Sequence, residues 1–225
     1  MKKTRSSSGE KQLRGALFDT AKYLVDVGLN RGTTGNVSVR MTNGEADSFL
    51  ITPSGFDPYD MTADAMVKVR FSGEFTGSAA PSTEWMMHRD ILMSRPEVGA
   101  VVHTHSPFAS TLSCMDLEIP PFHYMIAVAG GSTVRCAAYA LFGSRELSEN
   151  ALVALKDRYA CLLSHHGLIA VGSHLKKASS IALEVESLCE QYWRILQIGT
   201  PVLLSEEQMG EVLDKFKTYG RRDKN

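Results

Sequence analysis

The sequence predicts an α/β fold in which a largely antiparallel sheet carries helices around it. Apolar residues switch repeatedly between helical spacing and two-residue alternation along the chain. Several strand-like runs are joined by connections of hairpin length, which antiparallel pairs allow and parallel pairs do not. The chain has 225 residues, 44% of them hydrophobic, with no low-complexity tract, internal repeat or linker-like stretch, which is enough for one sizeable core.

The opening "MKKTRSSSGEKQ" is basic but runs into serine and glycine instead of an apolar segment. Residues 1–12 are therefore expected to be a disordered tail without signal-peptide character. In "EKQLRGALFDTAKYLVDVG", Leu13, Leu17, Ala21 and Leu24 recur at helical spacing, and Gly28 is a natural helix stop. "NRGTTGNVSVR" reads as a Gly/Thr/Asn loop feeding an alternating strand, "SFLITPSGF" as a strand ending in a turn, and "MVKVRFSGEFTG" as a hairpin. "STEWMMHRDILMSRP" predicts a helix that opens on hydroxyl residues and ends before Pro96. The apolar "AVVHTHS" is the next strand. Past a loop around "HYMIAVAGGS" come a helix in "SRELSENALVALKDR", two short strands in "ACLLSHHGLIAVG" and a long helix in "LKKASSIALEVESLCEQYWRILQIG". A last helix, "SEEQMGEVLDKFKTYG", begins with the Ser-x-x-Gln of a capping box.

Composition narrows the function. Net charge is −1 with basic and acidic residues interspersed, so neither a nucleic-acid footprint nor a polybasic membrane patch is present. Apolar runs such as Leu168 to Val171 are far too short to cross a bilayer. Cys114, Cys136, Cys161 and Cys189 form no C-x-x-C pair and read as reduced thiols of a soluble cytoplasmic protein, not as a zinc finger.

The chemistry begins at "VVHTHSP". Side chains two apart on a strand share a face, so His103 and His105 point the same way while Thr104 points to the other. They can converge on one metal ion, or simply be two histidines near a strand end. In "LLSHHGLIAVG", His165 and His166 stand between two apolar strands and before Gly167, which lets the backbone turn closely. One of the pair can supply a third ligand, or the pair can be a satisfied polar turn. Three histidines without a cysteine would leave a coordination position open, as a catalytic metal needs. Glu84 of "PSTEW" stands near a helix start, where it either complements the helix dipole or serves as a general acid/base over a metal. The hydroxyls of Ser82 and Thr83, with the loops "TTGNVS" and "TPSGF", offer groups of the kind that hold phosphate.

In this order, "GNVSVR", "ITPSG", "PSTEW", "VVHTHS", "HYMIA" and "SHHGLIAVG" resemble the class II aldolase/adducin family, most closely its L-fuculose-phosphate aldolase branch. The resemblance runs from about Leu13 to Gly220 and includes "FGSRELSE" and "FKTYG". It implies a single domain over residues 13–225, a three-layer α/β/α fold with a mostly antiparallel central sheet, and a homotetramer with active sites at subunit interfaces. It further implies one Zn2+ per chain held by His103, His105 and His166, with Glu84 as catalytic acid/base. Gly35, Asn36, Ser54, Gly55, Ser82 and Thr83 match its phosphate-binding loops. Tyr124 matches a tyrosine facing the neighbouring subunit's site, and Tyr219 and Arg222 belong to a mobile C-terminal segment that covers the site. Ser54 and Thr83 each exchange one hydroxyl residue for another.

The activity so implied is cleavage of a ketose 1-phosphate, such as L-fuculose 1-phosphate or a 5-deoxy- or 5-methylthio-pentulose phosphate, to dihydroxyacetone phosphate and a small aldehyde. Zinc would supply Lewis acidity for the enediolate left behind, Tyr124 would take the hydroxyl proton and Glu84 would protonate the enediolate carbon. Cobalt or manganese would also suit three histidines. A Schiff-base lysine is not required, and none of the quoted motifs contains a lysine. The family also holds L-ribulose-5-phosphate 4-epimerases, in which the Glu84 position resembles an aspartate and the "HYMIA" stretch differs, and decarboxylases or dehydratases acting on sugar phosphates. Adducin-like members are structural proteins, but here every ligand and Glu84 is retained.

Overall fold

The computed structural model describes residues 8–41 and 47–218. Among them one eight-stranded sheet is formed by β1 (Asn36–Arg40), β2 (Ser48–Ile51), β3 (Val67–Arg70), β4 (Phe75–Thr76), β5 (Ala100–Thr104), β6 (Cys136–Ala137), β7 (Ala160–Leu163) and β8 (Gly167–Gly172). The strand order is β4-β3-β2-β1-β5-β8-β7-β6. Every pairing is antiparallel except β6 with β7 at one edge.

Both faces of the sheet are covered, which explains why β5, β7 and β8 are buried along their whole length. Alternation along each strand divides the apolar residues into two cores. Val37, Val39, Leu50, Val102, Leu168 and Ala170 face α1 (Ser8–Asp26), α3 (Pro107–Ser113), α5 (Leu175–Ile198) and α6 (Glu206–Thr218). Phe49, Ile51, Val101, Ile169 and Val171 face α2 (Trp85–Ser94) and α4 (Arg145–Ala154). The expected α/β architecture with a mostly antiparallel sheet between helical layers is thus present.

Helix α1 begins at Ser8, so residues 8–12, expected to belong to a disordered tail, are helical. Glu10 explains the earlier start: its carboxylate lies 2.8 Å from Arg14 one turn on and 3.7 Å from Lys68 of β3, tying that turn to the sheet. Residues 1–7 of the expected tail lie outside the described residues. At the other end the expected capping box forms in both directions. The Gln208 N–H donates to Ser205 Oγ at 3.1 Å and the Ser205 N–H to Gln208 Oε1 at 2.8 Å. The loop around "HYMIAVAGGS" contains a 3-10 helix, Tyr124–Ala129, and helix α3 and strand β6 are additions to the expected elements.

For the site, the register of β1 against β5 is decisive. Asn36 pairs with His103 and Ser38 with Val101, so Asn36, Ser38, Val101 and His103 share the face that packs on α2.

Candidate active site

Two chain segments bring the three histidines together at one end of the sheet. His103 is fully buried on β5, His105 follows just beyond the strand, and His166 comes from the turn between β7 and β8. Gly167, at the start of β8, permits this approach, because a Cβ there would meet the Thr104 carbonyl oxygen at 2.3 Å. The three rings meet edge to face with centroids 4.7 to 4.8 Å apart. His103 Nδ1 donates to the Leu168 carbonyl at 3.0 Å, which leaves Nε2 as the bare nitrogen, 2.9 Å from His105 Nε2.

Glu84 completes the group. It occupies the residue before α2, yet its side chain caps nothing. Instead Oε2 lies 3.3 Å from His103 Nε2 and Oε1 lies 3.1 Å from His166 Nε2. The side chain thus turns toward the histidines instead of capping the helix. Oε2 accepts from Asn36 Nδ2 at 2.8 Å, whereas the buried Oε1 has no hydrogen bond aligned on it.

Burial works against the Glu84 carboxylate, but the nearby His103 and His166 imidazoles, with the hydrogen bond from Asn36, more than offset it and hold its pKa well below the usual carboxylate range. Burial lowers the His103 pKa to about 3 despite the opposing pull of Glu84. It lowers that of His105 as well, aided by His166. The histidine that ligates a metal is the neutral one, and one atom from each of Glu84, His103, His105 and His166 lies within 4.8 Å of the others. Bare imidazole nitrogen facing a carboxylate oxygen without a hydrogen bond is a donor set that fits a divalent cation.

This cluster opens onto a cavity of about 380 Å³ lined by Gly35, Asn36, Ser54, Gly55, Ser82 and Thr83, together with Glu84, His105 and His166. All six residues expected in phosphate-binding loops thus share one cavity. Gly35 is held in the left-handed region at φ 73°, and a Cβ there would fall 2.3 Å from Asn30 Oδ1. Asn30 in turn accepts from the His105 N–H at 3.4 Å, which ties the loop to the histidine strand.

His165 also lines the cavity, but it stands apart from the metal-competent group: φ is 53° and its Nε2 lies 3.9 Å from Asp116. Tyr124 is 51% exposed, stacked on His123, and does not line this cavity. Tyr219 and Arg222 lie outside the described residues. The structure adds Thr33, Thr34 and Pro53 beside the loops, and Tyr139 and Phe142 on a further wall. It also adds His88, buried one turn beyond Glu84 on α2, which the spacing alone does not single out.

The profile of the family described as Class II Aldolase and Adducin N-terminal domain matches residues 15–193. The chain belongs to the class II aldolase/adducin family. A 5-methylthioribulose-1-phosphate/5-deoxyribulose-1-phosphate aldolase of Rhodospirillum rubrum is 52% identical over 208 residues, 92% of each chain. An L-fuculose phosphate aldolase of Escherichia coli is 46% identical over 207 residues, 92% of this chain and 94% of the relative. A solved structure of an L-fuculose 1-phosphate aldolase superposes with a TM-score of 0.87 at 38% identity, covering 94% of this chain and 98% of the other. The alternating strands, the histidine turn and the loops around the cavity are thus set in a class II aldolase fold. No helix among the described residues is long and apolar enough to cross a membrane.

Proposed function

We propose that this protein is a zinc-dependent aldolase of the class II family that cleaves a ketose 1-phosphate to dihydroxyacetone phosphate and a small aldehyde. The observation that carries this reading is the junction of Glu84, His103, His105 and His166 with a cavity walled by the loop residues Gly35, Asn36, Ser54, Gly55, Ser82 and Thr83.

His103, His105 and His166 would hold the metal. When bound, it supplies Lewis acidity for the negative charge that develops on the substrate oxygens as the carbon–carbon bond breaks. The glycines and hydroxyls of the loops bind the phosphate and orient the substrate. Glu84, ionised at rest, takes up a proton from solvent on a carboxylate oxygen once substrate is bound and delivers it to the enediolate carbon. Tyr124, half-exposed on its own chain, serves the site of a neighbouring subunit in a homotetramer, where its hydroxyl relays the proton of the substrate oxygen that becomes the aldehyde on to solvent. Tyr139 and Phe142 give the cavity an apolar wall suited to an aldehyde ending in a methyl or methylthio group, in line with the substrates in the names of the R. rubrum and E. coli relatives. The four cysteines are unpaired, and we place the enzyme in the cytoplasm.

Metal-loaded protein should release dihydroxyacetone phosphate from at least one of L-fuculose 1-phosphate, 5-methylthioribulose 1-phosphate and 5-deoxyribulose 1-phosphate, and should not epimerise L-ribulose 5-phosphate. Replacing His103, His105 or His166 by alanine should remove metal and activity together, whereas His165→Ala should keep the metal. Glu84→Gln should retain metal while turnover falls roughly 10²- to 10⁴-fold, the range for loss of a general acid/base. Full metal content in all three histidine variants, or near-normal turnover in Glu84→Gln, would refute these assignments.

A further inference from the structure

Behind the site runs a buried polar chain whose far members, His88 and Ser38, have no part in the chemistry above. His88, one turn after Glu84 on α2, is 0% exposed. Its Nδ1 lies 2.7 Å from Ser38 Oγ and its Nε2 lies 2.5 Å from Asn36 Oδ1. Asn36 then donates from Nδ2 to Glu84 Oε2 at 2.8 Å. Two elements supply this chain at their own periods: Asn36 and Ser38 are two apart on β1, and Glu84 and His88 are four apart at and after the start of α2.

The direction of every bond follows from one end. An ionised carboxylate only accepts, so Asn36 must turn its amide nitrogen to Glu84. Asn36 Oδ1 then faces His88 and has no hydrogen to give, which puts the imidazole proton on Nε2. Nδ1 is left as an acceptor for the Ser38 hydroxyl. Burial lowers the His88 pKa to about 4 against the opposing pull of Glu84, so at neutral pH the ring has the one donor and one acceptor that this chain requires. Packing alone does not call for a histidine here, because Met87, Ile91 and Leu92 already bury the same helix against the sheet.

We propose that His88 is a positioning residue for catalysis, whose Nε2–H fixes the Asn36 amide so that its NH2 group faces Glu84 and the cavity. This rests on the reading of Glu84 as the proton carrier. With the amide so fixed, Glu84 keeps one oxygen held by Asn36 and the other turned toward His166. A reversed amide would set its carbonyl oxygen against the carboxylate, two acceptors face to face, and would present an acceptor where an anionic substrate needs a donor.

The first test uses the unaltered chain without metal, labelled with 15N in histidine. Spectra at pH 7 should show His88 as a neutral ring protonated on Nε2 and bare at Nδ1. A ring protonated on Nδ1, or a charged ring, overturns the proposal. The second test compares two variants. His88→Gln can set an amide donor near the position of Nε2, whereas His88→Met fills the space without a donor. Both should hold one divalent metal per chain. The Met variant should lose roughly tenfold or more in kcat with KM changed less than about threefold, as for an interaction that matters mainly in the transition state. The Gln variant should recover most of that loss. Turnover of a folded Met variant equal to the parent's, or equal impairment of both variants, overturns the proposal. If the Met variant does not fold, the tautomer measurement decides. Glu84→Gln assayed alongside separates the two readings. Rapid turnover there defeats the role of Glu84 itself, while a slow Glu84→Gln beside a fast Met variant defeats only that of His88.

Discussion

A histidine with no access to water pays for its neutrality when the medium turns acidic, and His88 makes this measurable in the metal-free protein. Its pKa is lowered from 6.5 to about 4 by burial, so on acidification the unfolded chain takes up a proton before the folded one does. The stabilisation is complete above about pH 6.5 and is lost as pH falls toward 4. Between pH 7 and pH 5 the His88 share of that loss is about 2 kcal/mol, because stability falls by about 1.36 kcal/mol for each pH step in which only the unfolded chain is protonated. Chemical denaturation of metal-free protein at the two pH values should show His88→Gln losing about that much less than the parent. Identical pH dependence in both would contradict a buried neutral ring. At this scale the sequence was informative about type and less so about partnership. The His-x-His and His-His-Gly stretches pointed to His103, His105 and one of His165 and His166, and the turn geometry separates the last two. His88 stayed hidden because a histidine one turn after a glutamate on an amphipathic helix reads as an ordinary interior residue until β1 is known to lie beneath it.

Among the elements, the short helix α3 holds the histidine strand in place from behind. Glu186 on α5 accepts from the N–H groups of Phe108 and Ala109 at 2.8 Å each and from Ser106 Oγ at 2.7 Å. One carboxylate thus secures the segment that leaves β5 just after His105 and satisfies two otherwise unpaired N–H groups of the helix start. Glu186→Ala should lower the unfolding free energy by about 2 kcal/mol, since hydrogen bonds to a charged group are lost and their donors left unpaired. It should also weaken metal retention more than Ser205→Ala, which removes only the cap of α6 and costs about 1 kcal/mol. Denaturant titration and metal analysis of the two variants check this. Long elements with clear periodicity, such as α1 and α5, were legible in the sequence, as was the Ser205 capping box. Helix α3 was not, because "PFASTLS" is too short to show a period and its start is set by Glu186, which lies far along the chain. Strand β6 is two residues long and exists through its pairing with β7 alone.

At the scale of the whole molecule, the proposed role of Tyr124 demands more than one chain. On its own subunit this residue does not line the cavity, although the loops, Glu84 and the histidines do. Mixing Tyr124→Phe subunits with Glu84→Gln subunits should create sites that contain both an intact tyrosine and an intact glutamate, with activity above that of either parent. The first change removes a single hydroxyl and leaves packing in place. Hybrids as inactive as their parents would return Tyr124 to its own subunit or remove it from catalysis. The fold class and the antiparallel sheet could be read from periodicity and hairpin-length connections, because those are local. The placement of Tyr124 relative to a second chain could not, since a surface residue carries no local mark of what will cover it.

The three histidines hang on β5 and on the turn before β8, which pair with each other although α3, β6, α4 and β7 lie between them in the chain. During synthesis, therefore, His103 and His105 leave the ribosome well before His166 exists, and a metal ion would meet at most two of the three proposed imidazole ligands until the β7–β8 turn has emerged. Tight capture has to wait for that long-range pairing, one of the slow steps in forming a sheet of distant strands. The proposed metal would thus be acquired late, as the mark of a finished sheet, and a nascent chain stalled before β8 would be bypassed by the ion.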